Sequence, residues 1–369
     1  MAVSGLARIR NKNTLAVFHE IISSDGVLRA EISERTGISL MTVGKIVDAL
    51  LKRGIIYEKE YPSITAGRKP SLALPNTGQW WSCVFGLTDA VTVSMLTLDL
   101  RVVFTARVSV SNNDWEGALR EAIRAVQNYA EKHAFDPAHF MGIGVSAPAP
   151  YDAERDRVKC PSRPGIEGLR LGQILGESFC APMYVDEDVK LAALAALDAF
   201  PEYRSADVFY MHMGVGVGSV LLRRGEIYRG EDNYAGDIGQ MLLASNRTVE
   251  NMLARTAVQE RIAVRGFEIE QVRDNMPPEL AAIVADIAHD LARAVYNATC
   301  MFSPRAVIVD QDCLPENALF FRAFQEEYAR LFFGYERRCP PVHFTADGMQ
   351  GAVRGLGYQL RKKWLLQEQ

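Results

Sequence analysis

The segment Ile32–Leu74, ISERTGISLMTVGKIVDALLKRGIIYEKEYPSITAGRKPSLAL, decides the fold of the N-terminal part of the chain. Apolar side chains recur in it at intervals of three and four residues, at Val43, Ile46, Val47, Leu50 and Leu51. This spacing places them on one face of an α-helix. The opposite face is polar and basic, so the pattern predicts a helix that buries one side and offers the other to a partner.

The residues before this helix predict a helix-turn-helix unit. Apolar positions indicate two earlier helices, at about residues 11–24 and 30–36, and Gly37 supplies the tight turn before the third. Such a unit lays its third helix in the major groove of DNA. Ser39 is placed to cap that helix through its hydroxyl. The side chains expected to contact DNA from it are Ser39, Met41, Thr42 and Lys45.

A hairpin follows and completes a winged helix-turn-helix. Ile55–Tyr57 and Ser71–Leu74 have the composition of strands, and Gly67-Arg68-Lys69-Pro70 lies between them. Arg68 and Lys69 would reach phosphates or a minor groove. The alternative is that the hairpin belongs to a small packing domain and that both cations are simply solvated.

The distribution of charge separates these alternatives. Residues 1–75 hold 11 Lys and Arg against 7 Asp and Glu, a net charge of +4, whereas the whole chain carries −4 and the remainder therefore −8. A basic head on an acidic body favours a module that binds double-stranded operator DNA over a small packing domain. A winged helix that binds protein stays the alternative.

Composition bears on the class of protein. The chain has 369 residues, 48% hydrophobic and 23% charged, which fits a globular protein of two or three domains. The N-terminus lacks the apolar core of a signal peptide, and no apolar run approaches the ~18 residues of a membrane span, so we expect a cytoplasmic protein with no membrane partner. The six cysteines are widely spaced, which predicts neither disulfides nor a metal site.

The pattern changes beyond residues 75–79 to alternating strands and helices. The second half opens with the strand Val208–Met213 and the glycine-rich turn Gly214–Gly218. This order predicts an α/β body of two similarly built lobes. We expect a winged helix-turn-helix at residues 1–75, a first lobe at 76–200, and a second lobe at 201–369 with surfaces for an effector and for oligomerisation.

Four segments in a fixed order resemble the ROK family. They are Gly67–Pro70, Gly142–Pro148 (GIGVSAP), Met183–Ala193 (MYVDEDVKLAA), and Gly225–Gly230 taken with Ala235–Gln240 (AGDIGQ). Members of this family are bacterial sugar-responsive repressors and sugar kinases on the actin-like ATPase fold. The resemblance spans nearly the whole chain and implies that fold for the two-lobed body.

Departures from the family pattern fall on the segments that hold ATP and zinc. Thr88-Asp89-Ala90 stands where the kinases have their first phosphate loop, and Asp310-Gln311-Asp312 replaces the glycines near adenosine. The first segment lacks the family's metal-organising carboxylate and its glycines, and the carboxylates of the second would repel a nucleotide. Because these sites are lost together, we expect no enzyme activity, no catalytic residue and no cofactor. Gln240 replaces a zinc-binding His, and no cysteine lies between Cys180 and Cys300, which predicts no metal.

The resemblance also implies an effector pocket, because sugars are held by carboxylates and amides. Asp188 stands where the kinases have their general base, and Glu250 falls where the last sugar carboxylate would be. The altered positions are Glu187 for Asn, Asp237 for Glu, Gln240 for His and Ser162 for Asn. The alternative is that residues 186–188 only form the acidic first turn of a helix.

Together these features predict a transcriptional repressor of a carbohydrate-utilisation operon, released from DNA by a sugar or sugar-derived effector and assembled as a homodimer or tetramer. Two alternatives stay open: a sugar kinase with an accessory head, and a repressor switched by a protein partner without small-molecule sensing.

Overall fold

The computed structural model describes residues 5–60, 71–160, 163, 165–231, 233–244, 246–346 and 348–367. Its internal contacts divide the chain into two compact units. Unit 1 comprises Met1–Asp186 with Leu356–Gln369, and unit 2 comprises Glu187–Gly355. This division differs from the expected boundaries at 75 and 200, which stay predictions about domains.

The N-terminal part of unit 1, called the headpiece (residues 5–60 and 71–75), is a winged helix-turn-helix. Its elements in chain order are α1 (Gly5–Ile22), β1 (Val27–Leu28), α2 (Arg29–Thr36), α3 (Leu40–Lys52), β2 (Ile56–Glu60) and β3 (Ser71–Pro75). The strands form an antiparallel sheet in the order β1-β3-β2. The short strand β1, in which Val27 pairs with Ala73, is an element that the sequence pattern did not indicate.

Helix α3 forms as its apolar spacing predicts. Its buried side chains are Val43, Ile46, Val47 and Leu50. Ser39 caps the helix, since its hydroxyl accepts a hydrogen bond from the amide of Thr42 at 3.4 Å. Gly37 takes a φ of +68°, a left-handed conformation that costs glycine little. Local chemistry thus determines where the helix starts and which side it buries.

The rest of unit 1 is built on a five-stranded sheet. Its elements are β4 (Trp81–Leu87), β5 (Ala90–Thr97), β6 (Val102–Ser109), α4 (Trp115–Lys132), β7 (Phe140–Ala147), β8 (Tyr151–Asp152), β9 (Arg157–Val158), α5 (Leu171–Gly176) and β10 (Met183–Glu187). The strand order is β10-β7-β4-β5-β6. Strands β4, β5 and β6 form an antiparallel meander, and β7 runs parallel to β4. All residues of β4 are buried, as a central strand covered on both faces requires.

Unit 2 repeats this connectivity. Its elements are α6 (Asp188–Asp198), β11 (Asp207–Met213), β12 (Val217–Arg223), β13 (Glu226–Ile227), β14 (Leu242–Ala244), β15 (Arg247–Thr248), α7 (Val249–Leu253), α8 (Arg255–Ala263), α9 (Pro278–Phe302), β16 (Ala306–Gln311), α10 (Ala318–Leu331), β17 (Val342–Thr345) and the start of α11 (Gly348–Leu366), which belongs to unit 1 from Leu356 onward. The sheet order is β13-β12-β11-β16-β17, with a meander of β11, β12 and β13 and with β16 parallel to β11. Two similarly built lobes are therefore present, as predicted.

Helix α9 supplies much of the unit 2 core. Its apolar side chains return to one face at Leu280, Val284, Ile287, Leu291 and Val295, and all of them are buried. They share a core with β16 and α10. Helix α11 is divided between the units, since the boundary falls between Gly355 and Leu356. No described helix combines the length and apolar character that crossing a membrane requires.

Candidate DNA-binding and effector sites

The exposed face of α3 presents the side chains expected to contact DNA. Met41 is 72% exposed, and Leu40 beside it is 55% exposed. Lys45 lies exposed one turn further along the helix. Apolar groups at such a face can contact thymine methyl groups, and a lysine can donate to guanine. Leu40 was missed in the sequence because it stands outside the apolar stripe and carries no polar group.

Ser39 and Thr42 are bonded to each other at the start of α3. Their hydroxyl oxygens lie 2.9 Å apart. Ser39 is exposed and Thr42 half-buried. The structure therefore gives Ser39 a capping role, and contact of either hydroxyl with DNA stays a prediction.

Arg29 connects the recognition helix with the wing, and sequence analysis did not single it out. Its guanidinium lies 2.8 Å from Asp48 Oδ1 on α3 and 2.9 Å from Glu58 Oε1 on β2. The ion pair offsets the charge of Asp48, which would otherwise repel phosphate from this face. No local pattern indicates it, because its partners lie far along the chain. The expected wing cations Arg68 and Lys69 lie outside the described residues.

Glu187, an expected effector residue, takes part in a buried network. Lys190, only 2% exposed, donates from Nζ to Glu187 Oε1 and, at 2.7 Å, to the carbonyl of Asn233. Asn233 also donates from Nδ2 to Glu187 Oε1 at 2.8 Å. A buried ammonium needs such partners. The motif thus carries an ion pair, Glu187 with Lys190, and Glu187 stands where the resembled family motif has an Asn.

Asp188 begins α6, and its charge raises the pKa of His212 near the end of β11. Burial lowers the pKa of His212, but a 3.1 Å hydrogen bond to Asp310 and the charges of Asp310, Asp312 and Asp188 outweigh it, so the net pKa is raised. The Asp188 carboxylate also accepts a hydrogen bond from the amide of Val189 at 2.6 Å. Asp188 is half-buried. Its position suits a charged acceptor for a hydroxyl group.

Three further expected effector residues lie in unit 2 near the first strands of its sheet. Glu250 Oε2 accepts a hydrogen bond from the amide of Val217 at 3.3 Å. Loss of hydration raises the pKa of Asp237, and the charge of Lys190 opposes this effect. Gln240 is exposed at the end of a single helical turn, Ile238–Gln240. Ser162 lies outside the described residues.

The glycines of the Gly214–Gly218 turn are explained by side chains of the protein itself. A Cβ at Gly214 would lie 2.2 Å from His212 Nε2 and 2.8 Å from Asp312 Oδ1. A Cβ at Gly218 would lie 2.9 Å from Val189 Cγ2 on α6. Both glycines are therefore required for packing, which favours a tight strand turn over a phosphate loop.

The segments that depart from the kinase pattern are occupied by internal ion pairs. Arg107 pairs with Asp89 at 2.7 Å beside the turn between β4 and β5. Arg255 pairs with Asp312 at 2.9 Å, and the buried Asp310 accepts a hydrogen bond from Tyr210 at 2.9 Å. The guanidinium of Arg255 thus offsets the charge of Asp312, and His212 Nδ1, which lies 3.1 Å from Asp310, offsets the charge of Asp310 when the imidazole is protonated. Repulsion of a nucleotide by these two carboxylates is weaker than the sequence alone suggested.

Metal ligands do not gather in the described ranges, where no group of three or more His, Cys, Asp or Glu residues is arranged to hold a metal ion. The hairpin of β14 and β15 follows Gln240 directly. Cys83, Cys160 and Cys313 are buried, whereas Cys180 and Cys300 are exposed.

Comparison with known proteins agrees with this architecture. The ROK family model matches residues 85–358. The chain belongs to the ROK family. A xylose repressor of Caldicellulosiruptor bescii is 21% identical to this ROK chain over 352 residues, which cover 86% of the chain and 87% of the repressor.

Solved structures share the fold. A ROK family transcriptional regulator, described as a homolog of the E. coli MLC protein, superposes with a TM-score of 0.75 at 15% identity, covering 97% of this chain and 98% of that one. The ROK hexokinase of Thermus thermophilus gives a TM-score of 0.59 at 19% identity, covering 76% of this chain and 98% of the hexokinase. The fold is therefore α/β, a two-lobed ROK body of the actin-like ATPase type behind a winged helix-turn-helix.

Proposed function

We propose that the protein is a DNA-binding transcriptional repressor of a carbohydrate-utilisation operon, acting in the cytoplasm. The observation that carries the proposal is α3, which buries Val43 and Val47 while Met41 and Lys45 face solvent. Such a helix fits the major groove. The similarity to a xylose repressor over 86% of the chain supports the same function.

A homodimer or tetramer would place two headpieces on one operator. One headpiece covers a single half-site, so two copies related by a twofold axis would match an operator with pseudo-twofold symmetry. Selection from a random pool of duplexes by the full-length protein tests this proposal. We expect an inverted repeat to be enriched, and enrichment of no sequence would reject sequence-specific binding.

A sugar or sugar-derived effector is proposed to bind in unit 2. Asp188 and Glu250 supply half-buried carboxylates, and Asp237 and Gln240 lie exposed on the same segment. Carboxylates of this kind accept hydrogen bonds from vicinal hydroxyls. The effector would favour a conformation whose headpieces no longer match the half-site spacing. Glu187 belongs to the same expected set, although it is already bonded to Lys190. A role for Ser162, which lies outside the described residues, stays a prediction.

Two other functions are each favoured by specific observations. The retained Asp188 and the fold shared with a ROK hexokinase favour a sugar kinase. The bonds of Glu187 to Lys190 and Asn233 favour a repressor that a protein partner switches, because they occupy groups that would otherwise meet a sugar.

A thermal-shift screen against D-xylose, other sugars, amino sugars, sugar phosphates and ATP separates these possibilities, since a ligand of the folded state raises Tm. A shift with one sugar and none with ATP supports the inducible repressor. Turnover of ATP in the presence of that sugar would establish the kinase. No shift across the panel favours control by a partner.

A further inference from the structure

The recognition helix ends against the last turn of the C-terminal helix. Arg53, the residue after α3, donates from Nη1 to the carbonyl of Leu365 at 2.7 Å and from Nη2 to the carbonyl of Trp364 at 3.0 Å. Its guanidinium carbon lies 5.0 Å from the centre of the Trp364 ring. The last carbonyls of a helix have no partner within it, and Arg53 supplies donors to two of them. The carbonyl of Trp364 also accepts a hydrogen bond from the amide of Gln367 at 3.4 Å.

A shared core surrounds this contact. Trp364 is 8% exposed and Leu365 3% exposed, and both belong to one cluster with the buried side chains of the headpiece. Trp80 donates from Nε1 to the carbonyl of Gly54 at 3.0 Å, and its ring centre lies 4.6 Å from that of Trp364. The chain after the wing is therefore part of a packed junction. This junction holds the headpiece against the part of unit 1 that contains the five-stranded sheet.

An arginine of α11, Arg361, also takes part in the junction. Arg361 donates from Nη1 to the carbonyl of Leu98 at 2.7 Å, and its guanidinium carbon lies 5.5 Å from the centre of the Phe18 ring on α1. The end of α11 thus contacts both the first helix of the headpiece and the residue that follows α3.

We propose that Arg53 is a positioning residue for DNA recognition and that the last turn of α11 is part of the DNA-binding module. The guanidinium holds both carbonyls through a rigid planar fork, whereas an ammonium is a point charge on a flexible stem, so the fork sets the direction of α3. The inference rests on the proposed DNA binding. Residues 348–355 of the same helix belong to unit 2, which carries Asp188 and Glu250.

The discriminating variant is Arg53→Lys, measured with the duplex that the wild-type protein selects. Lysine keeps the charge that a phosphate contact needs but loses the fork. We expect affinity for the selected duplex to fall about tenfold, the effect of one lost charge-assisted hydrogen bond. Affinity for an unrelated duplex and the dependence of log Kd on log salt should stay unchanged, because both report phosphate contacts.

The matched control is Arg35→Lys, a conservative change at another headpiece arginine, whose side chain lies 3.5 Å from Glu20. It should leave specific binding unchanged. Wild-type affinity in Arg53→Lys overturns the proposal. So does an Arg53→Met variant whose salt dependence falls by about one ion, since that identifies Arg53 as a phosphate contact.

A second variant keeps the test decisive if Arg53→Met does not fold. Trp364→Leu retains both carbonyls and removes the ring under the guanidinium, so it should lower specific affinity in the same direction. In the Arg53→Lys background its effect should shrink, because coupled residues are not additive. If the two changes in binding free energy were fully additive, the proposed coupling of Arg53 with Trp364 would be wrong. If the wild-type protein selects no duplex, the proposed function fails as well. If it selects one and both Arg53→Lys and Trp364→Leu bind that duplex with wild-type affinity, only the inference on Arg53 fails.

Discussion

The exposed face of α3 and the carboxylates around Asp188 differ in what their side chains contact. On α3, Met41 and Lys45 face solvent above a buried stripe. In unit 2, Glu187 is bonded to Lys190 and Asn233. The headpiece therefore presents a surface to an external partner, whereas part of the predicted effector site already obtains its hydrogen bonds from the protein. The exposed face of a helix can be inferred from the spacing of its apolar residues. The groups that a pocket offers to a ligand depend on which side chains have already paired with each other in the folded chain.

The largest expected effect breaks the Glu187 network. In Lys190→Met the carboxylate of Glu187 loses its cation while it stays mostly buried, at 18% side-chain exposure. Removing one partner of a buried ion pair lowers the free energy of unfolding by about 3–5 kcal/mol. Urea unfolding of the full-length protein measures this cost.

The matched control is the double variant with Glu187→Asn and Lys190→Asn, which replaces the ion pair by two neutral amides. It should be more stable than Lys190→Met, because no uncompensated charge remains buried. Equal urea midpoints for Lys190→Met and the wild-type protein would show that the pair is not a stabilising feature of unit 2.

The next effect concerns the other region. Lys45→Ala removes an exposed donor from α3 without disturbing its buried stripe. We expect preference at one position of the operator to relax, by about 1–3 kcal/mol of discrimination. Competition between the selected duplex and its single-base variants measures this. Arg120→Ala, on the exposed surface of α4, is the control that should leave all preferences unchanged. An unaltered preference profile in Lys45→Ala would contradict the docking of α3.

The headpiece could be predicted from the sequence because its determinants are local. The apolar stripe of α3, the Ser39 cap and the Gly37 turn each involve residues within a few positions of one another. The repeated order of strands and helices likewise indicated two similar lobes. The contacts that hold the headpiece in place were not predictable in this way, since Arg53 and Leu365 are 312 residues apart.

The candidate effector site was predicted only as a set of positions. The motif around Asp188 indicated a segment of the chain, but the contact of Lys190 with Asn233 joins residues 43 positions apart, and the motif did not indicate it. Similarly, the glycine-rich turn could belong either to a phosphate loop or to a tight strand turn. The closeness of His212 and Asp312 to Gly214 favours the second, and that closeness exists only in the folded chain.

A smaller effect is expected at the wing. Arg68→Ala and Lys69→Ala should each weaken binding to selected and unrelated duplexes by the same factor, and each should lower the salt dependence by about one ion. Binding titrations at several salt concentrations measure both quantities. A change in base preference with unaltered salt dependence would mean that these cations contact base edges.

The smallest effect is the pH dependence contributed by His212. Burial lowers the pKa of His212, and the hydrogen bond and charge of Asp310 raise it further than burial lowers it, so the folded-state pKa lies above the unfolded value of about 6.5. A raised pKa means that the stabilisation is fully present below the unfolded pKa and is lost as the pH rises through the folded pKa. The Tm of His212→Asn should therefore fall most, relative to wild type, at low pH, and the difference should shrink as the pH rises. His133→Asn, at the exposed end of α4, is the control. A Tm difference that is constant with pH would show that the charged form of His212 does not stabilise the buried Asp310. Unit 2 would then have one ion pair fewer that compensates its buried carboxylates.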